Sequence, residues 1–124
     1  AAQAFLEKAL ALYGQFDSFW RRPTLNSYLA LTLVENRNLP AARRHLLAAQ
    51  KYMWQMKNPS DQGSVFFSQA LIRTLADREP DVGRFFDEIL PDSALDYGRL
   101  ALKHLSRWLD RPEINSLRRL FPEL

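Results

Sequence analysis

Residues 23–56 read PTLNSYLALTLVENRNLPAARRHLLAAQKYMWQM. Two amphipathic segments meet at Asn36-Arg37-Asn38. In the first, Leu25, Tyr28, Leu29, Leu33 and the small Ala30 fall on one helical face. In the second, Ala42, Leu46, Ala49, Tyr52 and Met53 do the same. Apolar residues three and four apart, with polar ones between them, describe a helix buried on one side. So short a link sends the second helix back beside the first, which makes the stretch a helical hairpin.

Much of the chain repeats that plan, and proline punctuates it. Pro23, Pro40, Pro59, Pro80, Pro91 and Pro112 each fall just before or within the first turn of a helical pattern. There the missing N–H costs nothing, because the first-turn amides have no intrahelical partner. The spacing predicts seven helices. The first covers residues 1–16, with Phe5, Leu6, Ala9, Leu12 and Tyr13 apolar, and Asp17-Ser18 cap the connection that carries Phe19 and Trp20. The second opens at Pro23 and the third spans 40–56. The fourth spans about 61–77, with Val65, Phe66, Ala70, Leu71 and Leu75 apolar. The fifth runs from Pro80 to Leu90, the sixth over about 92–109 and the seventh from Pro112 to Phe121. No alternating polar–apolar run and no Asn-Gly hairpin signal is present, so the expected class is all-α.

A shift of 40 residues overlays the sequence on itself. Ala2, Leu6 and Ala9 fall on Ala42, Leu46 and Ala49, and these fall on Val82, Phe86 and Ile89. Pro40 falls on Pro80 and Ala30 on Ala70. A fixed period of this length is the mark of a stacked array rather than a closed bundle. Within the central hairpin, Leu29-Ala30-x2-Leu33 followed by Ala42-x3-Leu46-x2-Ala49 resembles the tetratricopeptide repeat, whose pattern is Leu-Gly-x2-Tyr and then Ala-x3-Phe at the same internal spacings. Departures from that pattern are a period nearer 40 than 34, Asn26 where the family has Trp, and a repeat-ending proline delayed to Pro59.

The resemblance implies antiparallel hairpins stacked as a right-handed superhelix. One single domain would cover residues 1–124, with a half repeat at 1–16 and pairs at 23–56, 61–90 and 92–121. It also implies a concave groove, lined by the first helix of each pair, that takes a partner's peptide or helix. On the matching register the groove residues are Ser27, Leu31, Val34 and Glu35, then Phe67, Leu71 and Thr74. With Gly98 as the small residue of the last pair, they continue as Leu95, Arg99, Leu102 and Lys103. Some family members clamp a terminal carboxylate with Asn and Lys. Leu31 stands at the Asn position here, so an apolar peptide or helix is the expected ligand.

Composition narrows the alternatives. A chain of 124 residues holds one domain with a real core. It has no cysteine, which removes disulfides and thiolate metal sites. The charge of +3 is spread along the chain, with acids nearly balancing arginines, rather than gathered into a basic stripe, so nucleic acid is not an expected partner. His45 and His104 are far apart and lack a second ligand at helical spacing, so no metal is expected. The glycines at 14, 63, 83 and 98 form no phosphate loop, and no nucleophile elbow occurs. Asp92 and Asp96 suit a helix start, by capping and by favourable charge near the N-terminus. No catalytic residue and no cofactor is expected. Tyr52, Met53, Trp54 and Met56 form an aromatic and sulfur cluster, read either as core or as an adaptable docking patch.

The expected function is therefore a non-catalytic protein-binding module. Its expected setting is a bacterial envelope, secretion or polysaccharide-export assembly on the cytoplasmic side, tethered to the inner membrane only through a segment outside this chain. The alternative is a sensory or oligomerisation domain of a transcriptional regulator. The start at Ala1-Ala2-Gln3 inside a helical pattern points to a piece of a longer protein, and the uncovered face of the first helix to self-association.

Overall fold

The structure, a computed structural model, describes residues 3–8, 22–54, 59–107 and 111–124. All regular structure among them is helical and falls in seven segments: α1 (residues 3–8), α2 (Arg22–Glu35), α3 (Leu39–Met53), α4 (Pro59–Arg78), α5 (Pro80–Phe86), α6 (Ala94–Leu105) and α7 (Pro112–Leu120). Proline stands in the first two positions of α3, α5 and α7, none of which has a side-chain cap. Helix α6, which lacks a first-turn proline, is capped instead by Ser93, whose Oγ accepts the Asp96 amide at 3.1 Å. The expected cap pair Asp17-Ser18, the aromatics Phe19 and Trp20, and Ala9, Leu12 and Tyr13 lie outside the described residues.

The central hairpin closes through a left-handed residue. Asn38 N–H returns to the Leu33 carbonyl and Arg37 N–H to Val34, with Arg37 at φ 62°. These bonds take up carbonyls that the last turn of α2 would leave unpaired. Helix α3 then packs along α2, and His45 Nδ1 lies 2.9 Å from Asn26 Oδ1 across the pair. Ala30, Ala42 and Ala49 are fully buried together with Leu29, Val34 and Leu46. The small side chains let the helix backbones come close enough for the leucines to interlock.

Helix α4 runs parallel to α2. Thr24 donates to Asp61, the Tyr28 and Phe67 rings meet edge-on at 6.5 Å, and Leu31 faces the same space as Leu71. Helices α3 and α5 also run in the same direction. Arg43 Nε donates to the Phe85 carbonyl at 3.1 Å and Gln50 to that of Ile89 at 2.9 Å. All these partners are about 40 residues apart, the offset at which the sequence overlays on itself. The matched positions Ala42 and Val82, Leu46 and Phe86, and Ala30 and Ala70 are all buried.

The helix that carries this register stops short of its expected end. Helix α5 ends at Phe86 rather than Leu90, and Pro91-Asp92-Ser93 restarts the chain in the same direction as α6. The late part of α4 holds the chain just before α6, with Arg73 donating to the Leu90 carbonyl and to Asp87. The early part of α4 meets the end of α6. At Gly63 a Cβ would stand 2.6 Å from the Leu105 side chain, so glycine is what allows this approach. Helices α5 and α6 are thus one return path, antiparallel to α4 and broken in the middle. Helix α4 makes its most extensive contact with α6 and the next with α2. It is buried on nearly every side from Asp61 to Ala70. Helix α7 runs parallel to α2 and α4, and its end reaches α6 where Gly98 leaves room for the Phe121 ring.

Candidate functional site

Three parallel helices, α2, α4 and α7, present one face, and a furrow runs along it. Leu31 and Glu35 from α2, Leu71, Thr74, Leu75 and Arg78 from α4, and Leu120 from α7 line an opening of about 190 Å³. A second opening of about 390 Å³ shares Leu71 and Leu120 and adds Ser116 and Arg119. Leu120 borders both, and 39% of its surface is exposed. The floor is leucine and the rim is polar. Among the described residues Arg78 and Arg119 have no carboxylate partner, and Glu35 is the furrow's one acid.

The opposite end of the three helices is closed by a polar cluster. Arg111, just before α7, donates from Nη1 to Ser60 Oγ at 2.9 Å and from Nη2 to Ser64 Oγ at 3.3 Å. Its Nε reaches Glu113 Oε2 at 3.1 Å, and its Nη2 bonds the same oxygen. Tyr28 Oη donates to Glu113 Oε2 at 2.9 Å. Burial pushes the Tyr28 hydroxyl up to about 12, with the Glu113 charge adding to the rise against the opposing Ser64 bond. Burial alone would raise Glu113, yet bonds from Arg111, from its own backbone amide and from Tyr28 hold its carboxyl below the usual range. Beside this cluster Asp61 is buried with one oxygen bonded by Thr24, and among the described residues neither its other oxygen nor the buried Ser68 hydroxyl has a partner. The cluster fixes α7 at its start and leaves the far end of the furrow open.

The expected groove residues divide into three sets. Leu31, Glu35, Leu71 and Thr74 come together in the furrow. Ser27, Val34 and Phe67 are buried and offer no surface. The Ser27 hydroxyl donates back to the Thr24 carbonyl at 2.8 Å, and Phe67 meets the Tyr28 ring edge-on. Leu95, Arg99, Leu102 and Lys103 are on α6, the returning helix, and do not line the furrow; Arg99 pairs with Asp96 at 3.4 Å. The break at residues 87–93 makes α7, not α6, the third helix of this face.

Leu75 and Arg78 join the furrow beyond the expected set; they stand four residues after Leu71 and Thr74 on the same helix, the spacing that puts them on its face. Arg111, Glu113, Ser60 and Ser64 had no such signal, since only the tertiary path joins them. Both histidines are pushed below the ordinary imidazole value. Burial and then Arg44 lower His45, while burial and then Lys103 lower His104, which stacks on Phe66 at 5.4 Å. Of the sulfur and aromatic cluster, Met53 is buried, Trp54 is 68% exposed, and Met56 lies outside the described residues. On α1, Phe5 stands exposed beside the half-buried Leu6. No group of three potential metal ligands is found among the described residues, and no described helix is long and apolar enough to cross a membrane.

Comparison with family models, with curated proteins and with solved structures finds no match.

Proposed function

We propose that the chain is a tetratricopeptide-like interaction module that binds an apolar peptide or the apolar face of a helix from a protein partner. The observation that carries this reading is the furrow, where Leu31, Leu71, Leu75 and Leu120 converge with Arg78 and Arg119 on the rim. Leucines from three helices in a partly open trough give a ligand apolar area to cover, and the rim fixes its orientation by charge. The preference is for a ligand with one carboxylate near its apolar anchor, because the rim carries two arginines against one glutamate. The parallel α2–α4 packing at the 40-residue offset and the buried alanines of the central hairpin support the family likeness. The setting proposed is a bacterial envelope, secretion or export assembly, in which the module joins other proteins and performs no reaction. The exposed Phe5 adds a second proposed contact, self-association through α1.

Site-specific photocrosslinking tests the reading. A photoreactive phenylalanine analogue in place of Leu71 should trap a defined partner in the cells that make the protein. The same analogue at Glu88, exposed just after α5 beside Arg43 of α3 and outside the furrow, should not. Equal labelling from both positions, or none from Leu71, would remove the furrow as the binding site.

A further inference from the structure

The ends of α3 and α6 meet over Phe66 and carry a surface that the furrow does not use. The Trp54 ring stands edge-on to Phe66 at 6.3 Å, and the His104 ring stacks on Phe66 at 5.4 Å. Phe66 is the buried floor, while Trp54 projects with 68% of its surface exposed. The two helix ends that carry this surface also bear three exposed cations. Lys51 is one turn before Trp54 and lies 5.5 Å over the Tyr52 ring, Lys103 adjoins His104, and Arg107 follows one turn later. None of the three has a carboxylate partner among the described residues, and residues 49–54 and 101–107 contain no acid. Cations in a last helical turn also answer the helix dipole. The dipole explains their presence but leaves the exposed indole unaccounted for.

We propose that this surface docks on an anionic lipid bilayer, with Trp54 inserted among the headgroups and Lys51, Lys103 and Arg107 against the lipid charges. The shape decides the class of ligand. Trp54 is a projection, not a slot, so its counterpart must yield around it, as a headgroup layer does. Indole is favoured at that depth because its ring is apolar and its N–H still finds water or an ester oxygen. Lysine and arginine beside an anionic leaflet add attraction that falls away over a Debye length. Phe66, itself stacked on His104, backs the indole edge-on, so less freedom is lost on insertion. The contact is peripheral and independent of the furrow, which lies near the opposite ends of α2 and α4 and stays accessible.

Vesicle sedimentation with the full chain tests the proposal. At low salt the protein should sediment with phosphatidylglycerol vesicles and stay in solution with phosphatidylcholine alone. Binding should fall roughly tenfold in Trp54→Ala and again in Lys51→Glu/Lys103→Glu, and it should weaken as salt is raised. Arg44→Glu, which removes an exposed charge elsewhere on α3, should leave it within about twofold. Circular dichroism of each variant keeps loss of binding apart from loss of fold. Brominated lipid should quench wild-type tryptophan fluorescence more than that of Trp54→Phe. The proposal fails if anionic vesicles do not retain the protein, or if Trp54→Ala binds as well as wild type. It fails equally if Arg44→Glu weakens binding as much as Lys51→Glu/Lys103→Glu, since that would mean a general attraction of a basic chain. Preferential binding of a poly-glutamate peptide at this surface, with vesicles ignored, would replace the bilayer by an acidic protein.

Discussion

Helices α2 and α7 both lie parallel against α4, yet different interactions hold them there. Helix α2 comes with its partner α3 and shares a core of leucine, valine and alanine, in which Ala30, Ala42 and Ala49 are fully covered. Helix α7 brings Ile114 and Leu117 into cover, leaves Leu120 at the edge of two openings, and is fixed at its start by Arg111, Glu113 and Tyr28. The first contact is dense and apolar, so its strength follows area and fit. The second is directional and polar, so it depends on a few hydrogen bonds to charged groups. A repeat can propagate the first kind because alanine and leucine recur at a fixed offset. The second rests on residues that do not recur at that offset, and Leu120 of α7 stays at the edge of both openings.

The largest effects should come from the α2–α3 side. Leu46→Ala empties a fully covered site and should destabilise by about 2–5 kcal/mol. Ala42→Leu overfills the closest part of the hairpin and should cost about 1–3 kcal/mol. Urea denaturation followed by circular dichroism measures both. A neutral Ala42→Leu would mean that the hairpin is loose and that the contrast with α7 is false.

The α7 side should respond less and more locally. Removing the acceptor with Glu113→Ala strips Tyr28 and Arg111 of a charged partner, at about 1.5–3 kcal/mol, and Tyr28→Phe removes one of those bonds for somewhat less. Because Arg111 reaches solvent, the cost stays below that of leaving a fully buried charge unpaired. Hydrogen exchange should show α7 amides opening much faster in Glu113→Ala while α2 and α3 keep their protection. Equal loss of protection in all three would show that the latch holds the whole fold rather than one helix.

How far the sequence could be read follows the same division. The hairpin, the all-helical class, the proline starts and the 40-residue offset were legible because each rests on local spacing or on a repeat of it. Ala42, Ala49 and Ala30 could be placed in the core from their fit to a known pattern. The direction of α6 could not. Nothing local states that the chain from Pro91 to Ser93 continues in the direction of α5 instead of turning back, and the α6 residues Leu95, Arg99, Leu102 and Lys103 were assigned to the groove on that account. Ser27 and Val34 illustrate a second limit. They sit on the expected face of α2, but that face is covered by neighbouring helices at their level and opens only near Leu31 and Glu35. Trp54 kept two readings because a helix end has the same spacing whether or not another helix covers it.

Acidity and alkalinity should separate the two regions at moderate cost. Glu113 has a lowered carboxyl in the folded state, so its contribution is present above the unfolded value and is lost as pH falls through the folded one. His45 and His104 are also lowered, so the stability they give is full above about 6.5 and declines as pH drops below it. Tyr28 is raised to about 12, so the stability it gives is full below the ordinary tyrosine value near 10 and is lost between the two. The alkaline loss should start at α7, where Tyr28 meets Glu113, and Tyr28→Phe should abolish it. A denaturation midpoint that falls alike in wild type and Tyr28→Phe between these pH values would detach the titration from the latch.

The smallest effect tests the turn that starts the regular half. Arg37 carries φ 62° at the end of α2, in the left-handed region where a side chain is strained, and its guanidinium also bonds both oxygens of Glu79, at 2.7 and 3.1 Å. Backbone strain and surface ion pair act in opposite directions at one residue. Arg37→Ala loses the pair and keeps the strain. Arg37→Gly loses the pair and removes the strain, at the cost of a more flexible unfolded chain. If the turn geometry governs, Arg37→Gly will melt above Arg37→Ala, and in high salt, where the ion pair is screened, at or above wild type. If the ion pair governs, both variants will melt equally below wild type and the difference will vanish in salt. That second outcome would mean the hairpin is closed by its contact with the α4–α5 corner, and the α2–α3 unit would then be less self-sufficient than its apolar packing indicates.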